Sequence, residues 1–515
     1  MVGGGGGGDS APAPSASSSA HLAALLACAA SPVEALATAT NAVKSAPPPP
    51  GALLAGGGAA LDGLLALAAA WLAREEGTFD NVLFCAALAT ERAAGALAHE
   101  QALQAAAASA GAAAVAAGGG DGTARARRVE LARILATLYP RICRLRAQLR
   151  PPDTTGACVH AMLALGHACG LAGVEADAPE LPGVAARFLV RVACAFAPLA
   201  ARTDVPARAE ALLCALRTRP PAPWGGAAML CAALAQTRAA ASRASTAQAL
   251  RVLRDTLAVA TTPELRALVN EELLQDCCAA VEDGAANADV VEQGLASINN
   301  ALHQMAAARA GFVLTLPGLL RRLVAVAARA LGSARGGGGD EGAAAAAGAK
   351  AAFAPEQAAR VLQQLAAGEP FAFSDVAAAL VADHDVLSRA ASALREARAF
   401  GGLRGPASAA QGAAVHVLRI VSALALSPAI FLATDGKSAL PGLLVALRGL
   451  FVEDAGGGRD GAARPAAAVY AAAGELVARL LALDEGGAAG AALRSSALEV
   501  GDALEAWWAE QDAAE

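Results

Sequence analysis

Apolar residues along this chain recur at helical spacing almost throughout. In "LPGLLVALRGLF" (Leu440–Phe451), Leu443, Leu444, Leu447, Leu450 and Phe451 fall on one face of a helix. In "VHVLRIVSALAL" (Val415–Leu426), Val417, Ile420, Val421 and Leu424 form a second such stripe. No sustained alternation of apolar and polar positions argues for a sheet. The pattern predicts helices over His21–Ala30, Leu61–Arg74, Asn81–Ala107, Ala209–Leu216, Asp289–Met305, Leu316–Leu331, Pro465–Leu483 and Ser495–Glu510, with others between them. Start signals agree. Ser31 can cap, Pro32 sits at the first helical position, and Glu34 stands at the capping-box position. "ATTPELRALVNEELLQDCCAAV" restarts on Thr-Pro-Glu, and Pro355 opens a helix that Gly368 closes.

Breaks divide these segments. "SAPPPPG" (Ser45–Gly51), "AGGGDGTA" (Ala117–Ala124), "RPPAPWGG" (Arg219–Gly226) and a Gly-rich stretch at Ala455–Ala463 are turns or loops. The expected organisation is a disordered tail over 1–18, a helical region over 19–116, and a helical repeat region over 125–331. A disordered Gly/Ala-rich insertion over 332–352 and a helical region over 353–515 complete it.

One helix start recurs. "LPGLL" occurs at Leu316–Leu320 and at Leu440–Leu444, and "LPGVA" begins at Leu181. About three repeats of ~40–47 residues fit between successive copies. Around the last copy the order is a long helix, then "SPAIFLATDG", in which Ser427 caps and Gly436 ends a short helix. A Leu-Pro helix and another long helix follow. That order resembles the armadillo repeat, best over Ala413–Leu483. The resemblance implies an all-α fold, an irregular right-handed α-solenoid of armadillo/HEAT-like helix pairs and triplets. Its concave face would bind other proteins.

Composition changes the picture in two ways. Of 515 residues 56% are hydrophobic, but many are Ala and only 3% are aromatic, so each helix carries a thin apolar stripe and packs closely. Lys44, Lys350 and Lys437 are the lysines, so nearly all of the 40 basic residues are Arg. Arg over Lys, with Ala and Gly runs, points to a GC-rich genome, and those runs are discounted as functional signals. The net charge of −6 gives no reason to expect nucleic acid as a partner. The ten cysteines have no metal-site spacing. Those in "VLFCAAL" (Cys85) and "ALLCAL" (Cys214) read as buried thiols of a reducing compartment. The N-terminal stretch makes a poor secretory or mitochondrial address, and no apolar run has membrane-inserting composition. The expected location is the cytoplasm, with nucleus and plastid as alternatives.

Candidate chemistry is sparse. In "CVHAMLALGHAC", Cys158 and Cys169 fall on one helical face and His160 and His167 roughly opposite, so four ligands cannot converge on a metal. Asp383, His384 and Asp385 read as an acidic helix start. No phosphate loop and no nucleophile or metalloprotease motif is present. The expectation is therefore no catalytic residue, no metal and no cofactor. The one stretch that points to a partner is "RARRVELARILATLYPRICRLRAQLR". There Arg125, Arg127, Arg128, Arg133, Arg141, Arg144, Arg146 and Arg150 face a single acid, Glu130, with Pro140 as a break. It reads as the solvated face of a helix pair whose arginines pair with acids elsewhere, or as a docking surface for an acidic partner, RNA or anionic lipid. Trp507 and Trp508 would cap the last helix pair. The function expected is a non-enzymatic interaction scaffold or adaptor. The alternative is a helical subunit of an enzyme or transport complex.

Overall fold

The computed structural model describes residues 33–45, 47–73, 80–109, 121–146, 151–171, 174, 178–218, 226–240, 242–259, 263–308, 314–316, 318–331, 353–367, 388, 391, 394, 415, 417–422, 436–451, 467–482 and 488–512. Among these the fold is all-α, with no strand. The expected tail over 1–18, the insertion over 332–352, the acidic triplet at 383–385 and the short helix ending at Gly436 lie outside the described residues, apart from Gly436 itself. The chain divides into two compact units, Met1–Ala232 and Ala233–Glu515.

In the first unit, α1 (Val33–Ser45) and the short α2 (Pro50–Leu54) precede α3 (Ala59–Leu72), α4 (Asp80–Ser109), α5 (Asp121–Arg146), α6 (Pro151–Ala168), α7 (Leu181–Phe196) and α8 (Val205–Thr218). Among the described residues these make three successive helix pairs, α3 with α4, α5 with α6, and α7 with α8. The first helices stack on one another, α3 on α5 and α5 on α7. The second helices do the same, α4 on α6 and α6 on α8. Small residues make this close approach possible: Ala86, Ala87, Ala93, Ala94, Ala161 and Ala164 are all fully buried.

α5 runs through Pro140 without a break. Proline there removes one backbone hydrogen bond and crowds the preceding turn. Leu138, Tyr139 and Ile142, all buried, anchor the helix on both sides of it, and the Tyr139 ring stacks on Phe188 of α7 at 4.5 Å. Tertiary packing therefore overrides the local signal.

In the second unit, α9 (Gly226–Ala239), which spans the boundary, leads to α10 (Arg243–Ala258), α11 (Pro263–Ala267), α12 (Glu271–Asp283), α13 (Ala288–Ala308), α14 (Leu319–Leu331) and α15 (Phe353–Ala367). α16 (Gly436–Phe451), α17 (Ala467–Ala482) and α18 (Ala488–Asp512) follow. The Thr-Pro-Glu restart makes two helices, not one. α11 is short, and Asn270 then caps α12 by accepting a hydrogen bond from the Leu273 amide at 3.0 Å. α13 packs against α10, α12 and α15, α12 packs on α14, and both α16 and α17 pack on α18.

Several links between packed helices recur at similar chain separations, whereas the link from Gln364 on α15 to Asn299 on α13 spans 65 residues. From α13 to α10, Ser297 Oγ donates to the Leu250 carbonyl and Gln304 Nε2 to the Leu257 carbonyl, both 47 residues apart. Asn300 Nδ2 donates to the Arg254 carbonyl, 46 apart. From α14 to α12, Arg322 pairs with Glu282, 40 apart. Just ahead of α14, the amides of Thr315 and Leu316 donate to the Glu271 carboxylate, 44 and 45 apart.

The three Leu-Pro-Gly copies do not start their helices alike. At the first, α7 begins on Leu181 itself. At the second, Gly318 takes a left-handed φ of +77°, and α14 begins one residue later. At the third, α16 begins at Gly436, so Leu440 and Pro441 lie inside the first turns. Leu443, Leu444 and Leu447 are buried as their spacing predicts. The side chains of Leu450, Phe451, Trp507 and Trp508 lie outside the described residues.

Cysteine burial is mixed. Cys158, Cys169, Cys194, Cys277 and Cys278 are buried, and burial pushes the Cys194 and Cys278 thiols up to about 12. Cys85 is half-buried. Cys214, expected inside, is exposed, because Leu213 and Leu216 supply the buried face of α8.

Candidate functional site

The arginines of α5 do not share one surface. Arg127 is turned inward, with 9% of its side chain exposed. Its Nε and Nη2 hold both oxygens of Asp62 on α3 at 2.7 and 2.9 Å, and Nη2 also donates to the Gly57 carbonyl. Arg133 is exposed and binds Glu130 one turn back on the same helix. Arg128 and Arg141 are half-buried, and Arg125 and Arg144 are exposed. Arg125 and Arg141 both make interactions of their own. The side chain of Arg146 and all of Arg150 lie outside the described residues.

α6 meets α4 through a polar contact inside an apolar interface. His160 Nδ1 donates to Glu91 Oε2 at 2.5 Å, with 22% and 11% of the two side chains exposed. Phe84 stands edge-on against the His160 ring at 5.1 Å, and Lys44 Nζ lies 5.4 Å from the Phe84 centroid. Burial alone would raise the Glu91 carboxyl. The hydrogen bond and charge of His160, with Arg92 and His167 beyond, outweigh it and hold the carboxyl below its usual value. Gly95, one turn along α4, leaves room for the exposed His167. The two histidines thus share the side of α6 that faces α4, while Cys158 and Cys169 point into the core. Among the described residues no group of His, Cys, Asp or Glu could hold a metal ion.

The second unit carries an open cleft of about 450 Å³ edged by polar side chains. α13 supplies Asn299, Asn300 and His303. α15 supplies Arg360, Gln363 and Gln364, and the helical residues 417–422 supply Arg419. Each set repeats at three or four residues, so it forms a strip on one side of its helix. The other side is core: Leu295, Ile298 and Leu302 on α13, and Val361, Leu362 and Leu365 on α15, are buried. Gln364 Nε2 donates to Asn299 Oδ1 at 2.9 Å, which fastens α15 to α13. The Gln364 Oε1 atom is buried and accepts no hydrogen bond. His303 and Arg419 are exposed. Among the described residues, no carboxylate lies in the lining. These residues are ordinary amides, two arginines and a histidine, far apart in the chain, and no motif marked them in the sequence. The apolar stripes beneath them were the only available signal.

Among the described residues one stretch, Leu181–Leu199, is long and apolar enough to cross a membrane by length and composition, and 61% of its most apolar stretch is buried inside the fold.

No family model matches the chain, and no curated protein is significantly similar to it. Among solved structures it is similar to an engineered protein determined by the Northeast Structural Genomics Consortium. The identity is 14%, each chain is covered to 96%, and the TM-score is 0.34, too low to carry an argument about fold or function.

Proposed function

We propose that this chain is a non-enzymatic cytoplasmic scaffold that binds other proteins on the stacked faces of a right-handed α-solenoid, armadillo/HEAT-like in both units. The observation that carries the proposal is the recurrence of links between equivalent helices at separations of 40 to 47 residues in the second unit. That interval is the length of armadillo and HEAT repeats, ~40–47 residues. α11, α12 and α13 supply a short, a medium and a long helix in that order. The pairwise stacking of α3–α4, α5–α6 and α7–α8 supports a HEAT-like reading of the first unit. Such arrays expose long helix faces, which suits binding of extended partners.

The test is cross-linking of the full chain to its co-purifying proteins, followed by mapping of the cross-links. The expected result is a set of stoichiometric partners linked to one face of α10, α13 and α15 or of α4, α6 and α8. Recovery of an enzyme whose turnover requires this chain, with no links to either face, would support the alternative of a helical enzyme subunit.

A further inference from the structure

We propose that the exposed strip of α7 docks an acidic α-helix of a partner protein, with Arg144 of α5 as a third contact. This surface lies on the layer of first helices. It therefore goes beyond the scaffold reading, whose expected partners sit on α4, α6 and α8 or in the second unit.

Burial defines the strip. α7 is buried except at Gly183, Val184, Arg187, Arg191 and Ala195. Four of these recur every fourth residue, at 183, 187, 191 and 195, so they form one line along the helix. Arg187 is exposed and Arg191 half-buried. A Cβ on Gly183 would lie 3.8 Å from Arg187 Nη1, so the Arg187 side chain lies back along the line.

Charge gives the strip its partner. The stacked segments 131–152 and 181–203 contain no Asp and no Glu, and arginine is the sole charged residue type in either. Arg133 is held by Glu130, and Arg141 has an interaction of its own. Among the described residues, Arg144, Arg187 and Arg191 have no ion-pair partner. Of the acids that flank the α7 segment, Glu180 stands at the opposite end of the helix from Arg191, and Asp204 is bound to Arg208. A local positive strip on a chain of net charge −6 steers carboxylates to it.

Cys143 ties α5 to the same place. It is half-buried, and burial pushes its thiol up to about 11 while the charges of Arg191 and Arg187 pull the other way. Both guanidinium groups thus stand near the C-terminal part of α5, where the exposed Arg144 follows Cys143.

Spacing and backbone chemistry make the partner a helix. Arg187 and Arg191 stand one turn apart, about 5–6 Å at Cβ, and match two carboxylates one turn apart on a facing helix. Each guanidinium can then take one carboxylate in a paired fork of hydrogen bonds. A lone phosphate offers a single point of charge to arginines spread over two helices. The strip is also the side of a helix, whose backbone groups are paired within it. An extended peptide finds no backbone partner there, whereas a helix brings its own N–H and C=O groups already satisfied. Gly183 and Ala195 keep the ends of the line low, which lets a second helix approach closely.

The experiment uses the full chain and a fluorescein-labelled Ala-rich helical peptide of about twenty residues, long enough to hold its helix in water. Glutamates one turn apart line one of its faces, and the control carries Gln at the same positions. Fluorescence anisotropy should show the Glu peptide binding at least about tenfold more tightly than the control, with affinity falling as salt rises. Arg187→Gln and Arg144→Gln, both at exposed positions, should each weaken binding severalfold with unchanged melting temperature and helical signal. Equal binding of the two peptides overturns the proposal, as does full binding by both variants. Equal binding of a Glu-Gly repeat, which forms no stable helix, also overturns it. So does preference for single-stranded RNA or for phosphatidylserine vesicles, which would make the strip a nucleic-acid or lipid site. Partners cross-linked to α4, α6 and α8 with no peptide bound here would remove this surface and leave the scaffold reading standing. Peptide binding here with no partner on those helices would do the reverse.

Discussion

At the scale of single residues, the Glu91–His160 contact is the most informative. A carboxyl held below its ordinary value stabilises the fold fully above the unfolded carboxylate range, and that contribution fades as pH falls through the lowered folded value. Glu91→Gln should therefore destabilise the chain at pH 7 by about 1.5–3 kcal/mol, the range for a hydrogen bond to a charged group. The difference from wild type should shrink on acidification, because both side chains are then neutral. Urea unfolding of the two proteins at neutral and acid pH checks this, and a pH-independent difference would refute it. The sequence disclosed that His160 and His167 share a side of their helix. It could not disclose Glu91, 69 positions away, because an Ala-rich interface gives no local sign of which polar residue it encloses.

At the scale of elements, the two complete Leu-Pro-Gly-Leu-Leu copies make opposite predictions for the same substitution. Gly318 sits at φ +77° with open space where a Cβ would go, so Gly318→Ala carries a backbone penalty of about 1–2 kcal/mol and no clash. Gly442 lies exposed inside α16, again with open space. There Ala should stabilise by about 0.5–1 kcal/mol. Thermal melts of the two variants should move in opposite directions. Leu444→Ala, at 2% exposure, should destabilise by about 2–5 kcal/mol, and an unchanged melting temperature would remove α16 from the core. Element existence was legible here: α4, α13, α15 and α17 stand within a few residues of their periodic patterns. Boundaries were less so. Pro140 and the Thr-Pro-Glu restart both read as simple local signals. Burial of Tyr139 and the Asn270 cap decide those stretches instead, and both depend on three-dimensional neighbours.

At the scale of the whole molecule, the chain divides into two compact units. Two units with separate internal contacts are not bound to unfold in one step. Calorimetry should therefore give a van't Hoff enthalpy well below the calorimetric enthalpy. Agreement of the two would mean a single cooperative core. Fold class was readable from periodicity because it needs only the spacing of apolar residues. The cleft was not, since it is assembled from residues 299 to 419 only after α13 and α15 have stacked.

The seat of Arg127 has a consequence for how this chain can vary. Its guanidinium takes the Gly57 carbonyl, and the nearest guanidinium atom lies 2.5 Å from where a Cβ on Gly58 would be, with both glycines at φ near +80°. The run Ala55–Gly58 looks like one more glycine tract of a GC-rich gene, the kind that gains and loses codons freely. Here a single codon slip would move a carbonyl out of reach of the guanidinium or push a side chain against it, straining the seat in which Arg127 meets Asp62. Among repetitive tracts that can drift in length, this one is held to a fixed count by a residue 70 positions downstream.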